Sequence, residues 1–202
     1  MASLGRELDR EGMVDLVVDL CTRYPIRSVE DPLAEDDWAG WALLAERLPG
    51  DVQLLGDDLL ATNAARLDRA IDDDAVTAAL VKPNQAGTVT RTLDVLERAR
   101  ADGVATVVSA RSGETCDSTI ADLAVGTDAG QLKVGSLARS ERLAKYNRLL
   151  GVVHRSGTEL GQRRRSSDER FRSLVSSGRS RRSGDTTETN RCCDESDTTG
   201  PG

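Results

Sequence analysis

Short apolar-rich runs recur along the first 150 residues, separated by longer stretches in which apolar positions return at helical spacing. The runs are IRSV at 26–29, VQLL at 52–55, AALV at 78–81, VATVV at 104–108 and QLKV at 131–134. Runs of this length, bounded by turn-forming residues, have the reach of a buried strand and are too short for a helix. Between them, EDDWAGWALLAERL places Trp38, Trp41, Ala45 and Leu48 on one helical face. Asn63 stands where it can cap a helix through AARLDRAI, and Thr88 or Thr90 can open one through LDVLERARA that stops at Gly103. A further helix is predicted in ERLAKYNRLL. Parallel strands need a crossover connection, so strands and helices alternating about every 25 residues predict βα units on a parallel sheet.

The pattern stops near residue 150. The segment 151–202 is rich in Ser, Arg, Gly and Thr, and shows no sustained apolar periodicity, so a mostly disordered tail is predicted. The 202-residue chain thus divides into one folded domain over 1–150 and a low-complexity tail over 151–202. GQRRRSS within the tail is read as a solvated basic patch, with nucleic-acid contact or phosphorylation as the sharper alternative. The net charge of -7 argues against nucleic-acid binding by the chain as a whole. No apolar run reaches the roughly 20 residues that cross a bilayer, and no basic segment followed by an apolar one opens the sequence. Cys21, Cys116, Cys192 and Cys193 form no CxxC pair and no metal-ligand spacing. A soluble, reducing compartment, the cytoplasm, is expected, with no membrane partner.

Polar groups gather just after the predicted strands: Glu30-Asp31, Asp57-Asp58, Lys82 and Arg111-Ser112, with Lys133 inside the last run. In a βα barrel the C-terminal strand ends face the active site, which favours chemistry at these positions. Glu30 and Asp57 would bring two hard carboxylates to one rim from adjacent strands, a donor set suited to Mg²⁺. The competing reading makes either acid a helix cap, the role expected of Asp36 and Asp37. Lys82 ends an apolar strand, where a desolvated or cation-crowded ammonium can release its proton and act as a base. Its alternative is a lysine paired with Asp57 or Asp58. Arg111 and Ser112 offer a planar fork of donors and a hydroxyl, a set that suits phosphate, and Lys133 offers a cation for a second anion. Together they describe a site for a small, doubly anionic, Mg²⁺-bound acid whose α-proton is removed by a lysine.

The strings GDDL, KPNQAGT, RSGET and RSERLAKYN, in this order and with YPIRSVEDPLAEDDWAGWALLAERL before them, resemble enolase, the glycolytic phosphopyruvate hydratases. The resemblance runs from about residue 10 to residue 150. It implies about five consecutive βα units of the C-terminal TIM barrel, and a lyase that dehydrates 2-phosphoglycerate to phosphoenolpyruvate with Mg²⁺. By the same resemblance Glu30 and Asp57 are two of three metal carboxylates, and Lys82 is the base. Ser109, Ala110, Arg111 and Ser112 line the substrate, Arg111 and Ser112 at its phosphate, and Lys133 faces its carboxylate.

The chain also departs from the family. Ala110 stands where the family carries a histidine, and Pro83, Ala86 and Cys116 are further departures. The third metal carboxylate, the general-acid glutamates and the N-terminal domain would lie upstream of Met1, and the change of text after Leu150 reads as a shift of frame, with a natural low-complexity tail as the alternative. A second function is therefore carried alongside the first: a non-catalytic enolase remnant that pairs with a full-length enolase. A homo-oligomer is the other association expected.

Overall fold

The expected strands form, each within two residues of its apolar run, and all five lie parallel in one sheet ordered β1-β2-β3-β4-β5. They are β1 (Ser28–Glu30), β2 (Gln53–Gly56), β3 (Ala78–Val81), β4 (Ala105–Ser109) and β5 (Gly130–Lys133). The computed structural model describes residues 7–157. These lie within one compact unit, Met1–Arg163; a second, Arg164–Gly202, falls outside the described residues, as does the basic patch GQRRRSS. The described residues form seven helices, α1 (Arg10–Arg23), α2 (Trp38–Arg47), α3 (Ala64–Asp72), α4 (Pro83–Ala86), α5 (Val89–Ala101), α6 (Thr119–Gly126) and α7 (Ser140–Ser156), of which α2 to α6 cross between the strands, α1 precedes β1 and α7 follows β5. None of the described helices is long and apolar enough to cross a membrane.

The helix ends follow local chemistry. The Asn63 side chain accepts from the amides of Ala65 and Arg66, and Thr88, rather than Thr90, accepts from Arg91 N. Asp37 caps α2 by accepting from Gly40 N, while Asp36 stays exposed and makes no cap. The face that α2 buries is Gly40, Trp41 and Leu44; Trp38 is half-buried beneath the guanidinium groups of Arg66 and Arg69. Helix α1 and the short α4 and α6 were not predicted. For α1 the signal is present: Asp9 accepts from Gly12 N, and Val14, Val17 and Cys21 are buried at helical spacing. Helix α7 continues through residue 150, where the composition changes, to Ser156.

Two cores result from the two-residue alternation of strands. Leu54, Ala79, Val81 and Val108 face outward into the helix layer with Val14, Trp41, Leu44, Leu67, Val95 and Leu96. Leu55, Ala78, Leu80 and Val107 pack separately on the opposite, inner face. The sheet is curved, because inner-face side chains of its two ends meet. Gln131 of β5 donates to Gln53 of β2 at 2.8 Å, and Lys133 of β5 reaches Glu30 of β1. The architecture is thus α/β: five parallel strands with their helices, a half-barrel whose strands β1 and β5 form the outer edges.

Candidate active site

The register that builds the inner core also aims the functional side chains. Glu30 pairs with Leu55, Leu80 with Val107, and Ser109 with Lys133. Advancing two residues from inner-facing Leu55, Leu80 and Val107 reaches Asp57, Lys82 and Ser109, so all three project from the inner face at the C-terminal end of the sheet. There they line a cavity of about 430 Å³ together with Ala110, Arg111, Ser112, Lys133, Arg139 and Arg142. Every residue predicted to touch the substrate is therefore in one place. Glu30 is not among the lining residues, and joins the group through Lys133, whose Nζ donates to its two carboxylate oxygens at 2.5 and 2.7 Å.

Lys82 is desolvated at the end of β3, one of the two conditions under which a lysine can serve as a base. Its Nζ lies 2.5 Å from Asp57 Oδ2 with both side chains nearly buried, so its alternative reading, a pair with Asp57 rather than Asp58, describes the contact. The same contact leaves the other oxygen of Asp57, Oδ1, buried without a hydrogen-bond partner. A buried carboxylate oxygen is expensive to leave unsatisfied, and a cation at the cavity wall is the natural partner. Asp57, the one residue lining the cavity with such an atom among those described, therefore fits a hard divalent ion.

The strand exit that presents Asp57 is tightly made. A Cβ on Gly56 would lie 2.9 Å from Leu60 Cγ, so only glycine fits beneath the turn. Asp31, in the left-handed region at φ +43°, accepts from the amides of Asp57 at 2.9 Å and Asp58 at 2.8 Å, one with each carboxylate oxygen. Burial, and secondarily the charges of Asp57 and Asp58, push the Asp31 carboxyl up; the two amides pull it back only in part. Asp31, Asp57 and Asp58 each offer an oxygen within 4.8 Å of the others. Since both oxygens of Asp31 are engaged by main chain, we assign it to holding the loop rather than to the cavity.

Lys82 is held in a similar way. Its amide donates to Thr62 Oγ1 at 2.9 Å, and that hydroxyl donates to Gln85 Oε1 at 2.7 Å. Thr62 itself sits at φ +49°. Ser109 is buried with its hydroxyl donating to Ala110 O, and Ala110 N donates to Lys133 O. Beyond them, Arg111 N donates to Glu114 Oε1. Burial acts to raise the Glu114 carboxyl, but Lys145, the Arg111 amide and the charge of Arg142 outweigh it and hold it below its ordinary range.

Behind this front row stand Asp31, which the sequence marks only as a strand-end acid beside Glu30, and Thr62, Gln85, Glu114, Arg142 and Lys145, to which it assigns no role. A partial signal existed for the last two, which lie within a predicted helix, although no hydrophobic pattern marks cations as its buried face. For Thr62 none did, and the place of Asp31 beside Glu30 does not reveal its role, because both roles rest on positive φ and on contacts distant in sequence.

The family model for the C-terminal TIM barrel domain of enolase matches this chain over residues 3–171, most of its length. The parallel half-barrel, with its ionisable groups collected at the C-terminal strand ends, is the geometry that such a domain requires. The chain belongs to the enolase C-terminal TIM barrel domain family, which relates it to the enolase-like lyases.

Proposed function

We propose that the site handles the enolase reaction itself, the Mg²⁺-dependent dehydration of 2-phosphoglycerate to phosphoenolpyruvate, in a cytoplasmic setting. The observation that carries this reading is the convergence of Lys82, Asp57, Arg111, Ser112 and Lys133 on one cavity, beside a buried carboxylate oxygen that lacks a partner. Mg²⁺, held by Asp57 and by Glu30 on the neighbouring strand, would supply charge against the second negative charge that develops on the substrate carboxylate. Arg111 and Ser112 orient the phosphate, and Lys133 turns from Glu30 to the carboxylate. Lys82 Nζ then takes the proton from the carbon bearing the phosphate, and the C–H electron pair moves into the adjoining carboxylate. That pair returns to form the C=C bond as the neighbouring hydroxyl departs with a proton, as water. The donor of that proton would be one of the glutamates that the family resemblance implies, none of which is among the residues named here.

Phosphoenolpyruvate formation, followed by its ultraviolet absorbance with and without Mg²⁺, tests the reading. Lys82→Ala is expected to lower any turnover by about 10²–10⁴-fold, the usual loss for a general base. Turnover indifferent to Lys82→Ala would remove Lys82 from the chemistry.

A second reading, a non-catalytic partner of a full-length enolase, draws support from the outer edges of β1 and β5, which pair with no strand among the described residues. Co-elution with a full-length enolase on size exclusion supports it, and turnover by the chain as a monomer excludes it.

A further inference from the structure

We infer that Arg142 is a positioning residue that locks the two anion-holding loops of the cavity to each other; the inference rests on the phosphorylated-acid reading above. Arg142 belongs to α7, yet its guanidinium is drawn under the site and is only 9% exposed. Nη1 donates to Arg111 O at 2.8 Å and to Val134 O at 2.9 Å, and Nη2 donates to Ser112 O at 2.8 Å. One planar group therefore ties the exit of β4, which carries the proposed phosphate ligands, to the exit of β5, which follows Lys133.

Two further features show that the guanidinium is built in rather than incidental. Gly135 takes φ +96°, a conformation that favours glycine, and a Cβ there would only reach contact distance of Arg142 Nη1 at 3.4 Å, so the β5 loop passes directly against the group. Its bonded partners are all main-chain carbonyls, which carry no net charge. Glu114, whose carboxyl Arg142 helps to hold ionised, already pairs with Lys145 at 2.6 Å. The positive charge of Arg142 therefore remains available to the cavity it lines. Arginine suits the task because its two terminal nitrogens reach three carbonyls on two loops, which a single ammonium cannot span.

The test is calorimetric titration of inorganic phosphate into the full chain at low ionic strength, beside amide hydrogen exchange at residues 111–115 and 134–136. Arg142→Gln is expected to weaken phosphate by about 10-fold or more, the scale of loss when the partners behind a liganding group are removed. It should also speed exchange in both loops. Arg142→Lys keeps the charge without the fork, so its affinity should fall between the two while both loops still exchange faster. It also decides the matter if Arg142→Gln does not fold. Arg148→Gln, which removes a cation of the same helix paired with Asp122, should change neither readout.

Unchanged phosphate affinity, or unchanged exchange, in both Arg142 variants overturns the clamp. A wild-type chain that takes up no phosphate overturns the phosphorylated-acid reading instead, and loop exchange alone then decides whether Arg142 locks the loops.

Discussion

Two half-buried carboxylates at this site are shifted in opposite directions, and the difference lies in what each one faces. Glu114 meets cations: Lys145 Nζ, itself fully buried, donates to Glu114 Oε2 at 2.6 Å and to the carbonyls of Thr115 and Glu141. With its folded pKa below the unfolded value, Glu114 contributes stability that is present above the ordinary carboxylate range and is lost as pH falls through the depressed value. Glu114→Gln should cost about 3 kcal/mol near neutral pH, since it leaves a buried ammonium without its counter-ion. It should also flatten the acid limb of stability, as read by urea unfolding from pH 7 downwards. A variant whose acid limb stays as steep as the wild type's would assign that limb to other groups.

Asp31 behaves in the reverse sense. Its carboxyl is raised by burial among acids, so its contribution is greatest at low pH and is lost as pH rises through the raised value. Its two amide bonds offset that loss. Asp31→Asn leaves one acceptor oxygen for two donors, so one amide is orphaned at a cost of about 1–3 kcal/mol. The thermal midpoint should drop accordingly, and a rise instead would mean that carboxylate repulsion outweighs the amide bonds.

At the scale of the element, caps and faces behave as local chemistry requires. The Asn63 oxygen takes two orphan amides at the start of α3, so Asn63→Ala should lower stability by about 1 kcal/mol, measurable by urea denaturation. Asp36→Ala, at an exposed position without a capping bond, should be nearly neutral in the same experiment. The strands were legible because β3 and its neighbours are buried on both faces and read as continuous apolar runs. Helix α1 was harder to read, since only Val14, Val17 and Cys21 of its fourteen residues are buried. Helix α7 is the instructive case: its buried residues are Arg142 and Lys145, so a hydrophobic pattern cannot reveal which face points inward.

For the whole molecule, the outer edges of β1 and β5, which pair with no strand among the described residues, carry the prediction for behaviour in solution. Unpaired parallel edges invite association with another chain. Sedimentation velocity over a range of concentrations should show self-association, or complex formation when a full-length enolase is added. A single monomeric species under both conditions would count against any role for the edges. Curvature brings those same end strands close enough on the inner face for Lys133 to bond Glu30, even though β1 and β5 are not neighbours in the sheet.

The sequence by itself determined the parallel α/β half-barrel, the rank of ionisable groups at strand ends, and the kinship with enolase that the family match bears out. Those follow from periodicities of two and 3.6 residues and from short specific strings, all of which are local. Tertiary structure alone decided the partners: Lys82 with Asp57, Lys133 with Glu30, and Arg142 with the carbonyls of two loops. Each of these contacts joins residues between eight and 103 positions apart. What brings them together is the curvature and register of the sheet and the packing of α7 behind it, none of which is written in any one stretch of the chain.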